Sequence, residues 1–313
     1  VLPESLSSTE IEAALRAMVT VARVDGEVHA AEHAWILAAA RTLGGRVSVP
    51  LDDLAPIEPD ELARLVTSSE GRELVVRVMI LVALMDGDVS GAEASLVERV
   101  ALALRVDEPR IANLRQIEEG RLRVLWLDLA RRSFARPIFE ETLKSKGLRG
   151  VWKIVGPMLG LAKDPDMARR YCDLGKLPEG TLGYRYFRFI VDNELGFPGE
   201  GIVAEDGMWH DLTHVLAGYG TDPLGEVAVV SFIAGYRRDD PFFWLFTIAL
   251  QFHLGIKVSP YSPGERGYFD PDVVLRALTR GLAVRRDLSR EWDPWPDMAR
   301  PLEDVRRELG VPP

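Results

Sequence analysis

A helical hairpin unit occurs twice near the start of this chain, and that repeat restricts the region to stacked helices. Laying residues 21–44 over residues 82–105 pairs Val21 with Val82, Ala22 with Ala83, Asp25 with Asp86, Gly26 with Gly87, Val28 with Val89 and Glu32 with Glu93. Each copy is rich in Ala, Val and Leu up to its Asp-Gly pair, where glycine suits the left-handed backbone that stops a helix, and a second helix follows. In the second copy Ser90 and Glu93 have the spacing of a capping box, in which serine and glutamate each satisfy a free backbone N–H.

The strings Val24-Asp25-Gly26-Glu27-Val28 with Glu32, and Met85-Asp86-Gly87-Asp88-Val89 with Glu93, resemble the TerB-like family of small acidic helical domains linked to tellurite resistance. The resemblance covers roughly residues 10–118. It implies an acidic surface that binds a metal ion or a protein through Asp25, Glu32, Asp86 and Glu93. Turn and capping chemistry is the competing account, since neither copy has the D-x-D-x-D-G loop of an EF-hand. His29 and His33 stand four apart, on one helical face, but their counterparts in the repeat are Ser90 and Ala94. Solvated surface histidines are therefore expected there.

With 313 residues and 47% hydrophobic composition the chain can bury a core in each of two domains. The net charge of -10 argues against nucleic acid as a partner. The single cysteine, Cys172, cannot form an intramolecular disulfide or a cysteine-rich zinc module, so histidine and carboxylate are the expected metal ligands. A reducing, cytoplasmic location fits. Residues 1–10 lack the basic head and apolar core of a secretory leader. The most apolar stretch, 242–250, is well short of the ~20 residues a spanning helix requires, so peripheral contact with the inner face of a membrane is the most that is expected.

From residue 121 to residue 135, Leu122, Leu125 and Leu129 outline an amphipathic connecting helix. Arg131, Arg132 and Arg136 form a short basic patch before Pro137, read as a salt-bridged helix end or a contact for anionic headgroups. The second domain is expected to begin between 136 and 150.

That second domain carries the chemistry. His210 and His214, one helical turn apart, project both imidazoles from one face. Asp211 joins the same arc as a third ligand or as a carboxylate that orients an imidazole. Beyond Gly218 and Gly220, Asp222 is a good N-cap with Pro223 at the first helical position, so Glu226 falls in the opening turn of the next helix. A tight turn between would bring Glu226 back over the histidines. Such a nitrogen and oxygen donor set suits zinc, and also iron or manganese.

The string His210-Asp211-x-x-His214, eleven residues, then Glu226 after Gly225, resembles the metal motif of the Coq-four family of ubiquinone biosynthesis. Residues 174–183, followed by Tyr186 and Phe187, resemble that family's Leu-Pro-x-Gly-Thr-Leu-Gly segment. Pro241, Trp292-Asp293-Pro294-Trp295 and residues 301–311 recur in its order. The similarity spans roughly 174–313. The chain departs from the family between Phe189 and Trp209 and throughout its N-terminal half. The resemblance implies His210, Asp211, His214 and Glu226 as metal ligands, Asp211 and His214 as catalytic residues, and a prenylated aromatic or quinone-like lipid as substrate. Independently, Phe232, Phe242, Phe243, Trp244, Phe246 and Phe252 follow the motif, and residues 242–250 form a helix apolar nearly all round. These residues make either an ordinary core or a lipid pocket, with Trp209, Phe232, Phe242, Phe243 and Phe246 as its lining. His253 is a proton donor, an extra ligand or a hydrogen-bonded core residue.

The expected fold is all-α, with a helical repeat domain at 1–118, a connecting helix at 119–145 and a metal and lipid-binding domain at 146–313. A homo-oligomer is expected, with other quinone-biosynthesis proteins as partners. Three functions compete: a metal-dependent decarboxylase of a prenylated hydroxybenzoate, a lipid-binding scaffold with a structural metal, and a metal-stress protein governed by the first domain.

Overall fold

The computed structural model describes residues 6–26, 28–43, 54–132, 164–200, 207–258 and 262–313. Among them the fold is all-α, as expected, with fourteen α-helices and two isolated β-bridges. By compactness the chain divides into two units, residues 1–129 with 241–276, and residues 130–240 with 277–313. This partition groups 241–276 with the repeat, unlike the contiguous boundaries 1–118, 119–145 and 146–313. The expected start of the second domain at 136–150, Arg136 and Pro137 lie outside the described residues.

The first unit contains α1 (Ser8–Ala22), α2 (Ala30–Leu43), α3 (Pro59–Leu65), α4 (Ser69–Val82), α5 (Gly91–Leu104), α6 (Arg110–Glu118) and most of α7 (Leu122–Arg132). The two repeat copies are the turn from α1 to α2 and the turn from α4 to α5. Both Asp-Gly glycines have positive φ, 130° at Gly26 and 91° at Gly87, and the Ser90–Glu93 capping box is formed in full. Helix α1 packs most extensively on α4 and also touches α2, α3 and α5. Its face of Ile11, Leu15, Met18 and Val21 is at most 2% exposed.

One carboxylate joins the starts of the two lead helices. Glu10 accepts from the backbone N–H (3.1 Å) and hydroxyl (2.9 Å) of Ser7, the N-cap of α1. It also accepts from the N–H (2.9 Å) and hydroxyl (2.7 Å) of Ser68, the N-cap of α4, and from the Thr67 N–H (3.2 Å). Burial alone would raise its pKa, but the hydrogen bonds from Ser68 and Ser7 outweigh it and bring it down to about 2.

Helix α12 (Pro241–Phe252) packs against α4. Its residues Phe242, Phe243, Leu245, Phe246, Ile248, Ala249 and Leu250 are all buried, as an all-apolar helix requires. The guanidinium groups of Arg77 and Arg110 lie over the Phe242 ring, 5.8 and 5.4 Å from its centroid, and Glu108 bridges them through contacts of 3.1 and 2.9 Å. Nε2 of His253 donates to the Met85 carbonyl oxygen at 2.9 Å, the hydrogen-bonded core reading for that residue. On α7, Leu125 and Leu129 are buried while Leu122 is 46% exposed. No described helix is long and apolar enough to cross a membrane.

The second unit contains α8 (Pro165–Cys172), α9 (Leu182–Asp192), α10 (Met208–Ala217), α11 (Pro223–Tyr236), the latter half of α13 (Pro271–Leu282) and α14 (Leu302–Leu309). Two stretches far apart in sequence pair backbone to backbone. Leu182 N–H donates to Arg300 O (2.9 Å), Gly183 N–H to Met298 O (2.8 Å) and Leu302 N–H to Gly180 O (2.9 Å). Helices α11 and α13 meet at glycines, since a Cβ on Gly281 would stand 2.1 Å from the Phe232 carbonyl oxygen. Backbone cannot retreat as a flexible side chain can. Gly281→Ala is therefore expected to destabilise the fold by about 1–3 kcal/mol, read as a lower urea midpoint; an unchanged midpoint would show that the helices separate freely.

Candidate metal centre

Helix α10 presents His210 and His214 from successive turns. It ends at Gly218, whose φ is 75° and whose N–H caps the His214 carbonyl. The chain then doubles back. Asp222 is the N-cap of α11, its side chain accepting from the N–H groups of Leu224 and Gly225 at 3.1 Å, and Pro223 occupies the first turn. The turn is tight enough that a Cβ on Gly225 would stand 2.2 Å from the Gly220 carbonyl oxygen, so the residue before Glu226 has to be glycine. Glu226 is thereby set opposite the histidines.

Three side chains converge. The two Nε2 atoms are 3.2 Å apart, Glu226 Oε2 lies 3.5 Å from His210 Nε2, and Glu226 Oε1 lies 3.3 Å from His214 Nε2. Metal bonds of roughly 2.0–2.1 Å to a tetrahedral ion separate its ligands by roughly 3.3 Å, so this triangle fits one divalent ion. Among the described residues it is the one group of three or more histidine, cysteine or acidic side chains with that convergence. The side chain of His214 is 1% exposed, against 29% for His210 and 23% for Glu226, so the site is closed behind His214 and open at the other two.

Tautomer and orientation follow from the surroundings. His214 Nδ1 lies 3.2 Å from the Tyr219 carbonyl oxygen. A carbonyl can only accept, so Nδ1 carries the proton and the Nε2 lone pair faces the triangle. The ring also stacks on Phe189, with centroids 5.2 Å apart. Next to it, the Thr213 hydroxyl hydrogen-bonds Trp209 O (2.7 Å) and the Tyr236 hydroxyl (3.2 Å), and Tyr236 is fully buried.

The electrostatics favour a cation among these groups. Burial would raise the pKa of Glu226, but hydrogen bonds and charges from His210 and His214, when their imidazoles are protonated, outweigh it and bring it down to about 2. Burial would lower that of His210, but the hydrogen bond and charge of Glu226, with the charge of Asp211, hold it above the usual value. Asp211 is raised, by burial first and by Glu226, against the opposing pull of His210 and His214.

Not every expected ligand joins the triangle. Asp211 contributes no atom to it and acts on His210 through its charge. Of the expected pocket residues, Trp209 adjoins His210, with ring centroids 6.2 Å apart. Phe232 is fully buried between Tyr219 (6.2 Å) and Tyr236 (5.9 Å). Phe242, Phe243 and Phe246 belong to the first unit. Phe189 and Tyr219 escaped the sequence reading, because a stacking ring and a backbone carbonyl leave no pattern in residue type.

In the first unit, Glu32 and Glu93 are 3% and 1% exposed. Each turns back to a backbone N–H, that of His29 at 2.7 Å and that of Ser90 at 2.8 Å, which is the capping role. Burial raises both pKa values to about 7, with Asp86 and Asp25 contributing repulsion to each. The two Asp-Gly turns thus face a common acidic cluster. His29 and His33 are exposed.

Residues 59–116 match the family model "Tellurite resistance protein TerB", a segment that holds the second repeat copy. No curated protein matches the chain. Among the solved structures, the crystal structure of a protein from Nostoc punctiforme PCC 73102 described as a "Putative ubiquinone biosynthesis protein" is 19% identical, over 79% of this chain and 100% of that one, with a TM-score of 0.32, too low to establish a shared fold.

Proposed function

We propose that this chain is a metal-dependent protein acting on a prenylated hydroxybenzoate or related quinone precursor, whose ring carboxyl leaves as carbon dioxide while a proton takes its place on the ring. The observation that carries the reading is the triangle of His210 Nε2, His214 Nε2 and Glu226, with edges of 3.2–3.5 Å and two of its three members partly exposed. The substrate class rests on the resemblance of residues 174–313 to the Coq-four family. His210, His214 and Glu226 would hold a divalent ion, zinc first with iron or manganese as alternatives, which would supply Lewis-acid stabilisation to a bound carboxylate or phenolate. His214, locked by Tyr219 and Phe189, would hold its Nε2 lone pair toward that ion. His210 and Glu226 form the accessible rim. Asp211, whose pKa burial raises above the usual carboxylate value, is the candidate general base. The same reading has the protein work in the cytoplasm as a homo-oligomer at the inner face of the membrane, where a prenylated substrate resides, alongside other quinone-biosynthesis proteins.

Elemental analysis and lipid mass spectrometry on one purified sample test the proposal. The expected result is a divalent metal bound by the wild type and lost in His210→Ala, together with an extractable prenylated aromatic acid that the metal-loaded protein decarboxylates. Wild-type protein with no metal, even after reconstitution, would sink the reading. Metal and lipid without turnover would favour a scaffold in which the ion staples α10 to α11.

A further inference from the structure

The last carbonyls of a helix have no partner within it and must find one elsewhere. On α10 three consecutive ones are taken by arginines from other elements. Arg306, on α14, donates from Nη2 to Val215 O (3.0 Å) and from Nε to Leu216 O (2.8 Å). Arg280, on α13, donates from Nη2 to Ala217 O (3.1 Å) and to Pro312 O (2.9 Å), and its guanidinium lies 5.0 Å from the centroid of the Tyr219 ring. Arg306 is itself fixed by Glu303 at 2.6 Å. All these groups belong to the second unit.

The carbonyl two residues past this trio is Tyr219 O, the one that accepts the hydrogen bond from His214 Nδ1–H. The arginines therefore hold the segment that starts at His214 and ends at the group orienting His214. Their positive charge also complements the negative end of the α10 dipole. A planar guanidinium spans two adjacent carbonyls, which a lysine ammonium cannot do with the same geometry.

We infer that Arg306, assisted by Arg280, is a positioning residue for the metal centre: it fixes the last turn of α10 and the Tyr219 carbonyl so that His214 Nε2 meets His210 and Glu226. The inference rests on the metal reading proposed above. Groups that orient a metal-binding histidine typically change metal affinity by about 10–100-fold when lost.

Cobalt(II) is the probe, because its visible spectrum reports ligand geometry independently of turnover. Arg306→Ala is expected to bind cobalt about 10–100-fold more weakly and, at saturation, to show an altered spectrum. Arg306→Lys is expected to recover part of the affinity but not the wild-type spectrum. Arg307→Ala, altering an exposed neighbour on α14 that pairs with Asp304, is expected to change neither. If Arg306→Ala does not fold, Arg306→Lys alone decides, and a wild-type spectrum and affinity in it overturn the inference. Wild-type cobalt binding by Arg306→Ala, with none by His214→Ala, overturns the positioning role and leaves the metal centre standing. Wild-type binding by His214→Ala overturns the metal reading itself.

Discussion

Replacing His214 with alanine is expected to abolish divalent-metal binding, weakening it by more than about 100-fold, beyond what loss of an orienting group produces. His214 is the buried corner of the triangle, at 1% side-chain exposure, and alanine offers no donor atom in place of its Nε2. The metal-free chain is also expected to lose stability, by about 1–3 kcal/mol, because the ring's contact with Phe189 and its hydrogen bond to Tyr219 go with it. The two effects separate by thermal melting with and without chelator. Binding to the folded state alone stabilises it by mass action, so chelation should lower the wild-type Tm and leave that of His214→Ala unmoved. A wild-type Tm indifferent to chelator and to added metal would remove the basis for a metal centre.

The second large effect concerns pH and the first unit. Glu10 has a folded pKa near 2 against 4.5 for the free group. From about pH 2 to pH 4.5 the unfolded chain holds more protons than the folded one, so stability rises with pH over that range. That stability is fully present above 4.5 and is lost as pH falls through 2. Glu32 and Glu93 act in the opposite sense. Their folded pKa values are near 7, so between 4.5 and 7 the folded chain holds more protons and stability falls as pH rises. The first unit is therefore expected to be most stable near pH 4.5–5 and weaker at neutrality. Glu10→Gln should flatten the acid limb, and Glu93→Gln should reduce the loss toward pH 7. Urea unfolding across pH 2–8, followed by circular dichroism, reads both limbs; a maximum at neutral pH in the wild type would contradict the assignment.

Much of this was legible in residue order because it depends on local geometry. The all-α fold followed from helical periodicity and from the doubled Asp-Gly unit, and the Ser90–Glu93 capping box needed only a spacing of three. The second helix of the metal-type pair was equally legible, since Asp222, Pro223 and Glu226 occupy N-cap, first-turn and inward positions as their types predict. Asp211 shows the limit of such reasoning. Its spacing from His214 allows a ligand, but spacing does not say on which side of a helix the open corner of a site lies.

The sequence by itself determined the helices, their stops and the pairing of His210 with His214, because each depends on contacts within one or two turns. Only the tertiary structure decided that Glu226 closes that pair while Asp211 does not, and that 241–276 packs with the first unit. It alone showed that a single buried carboxylate, Glu10, caps two helices and that arginines from α13 and α14 hold the end of α10. Each of these is an encounter between groups remote in sequence, and no pattern along the chain encodes which free carbonyl, ring or N–H will be within reach once the helices pack.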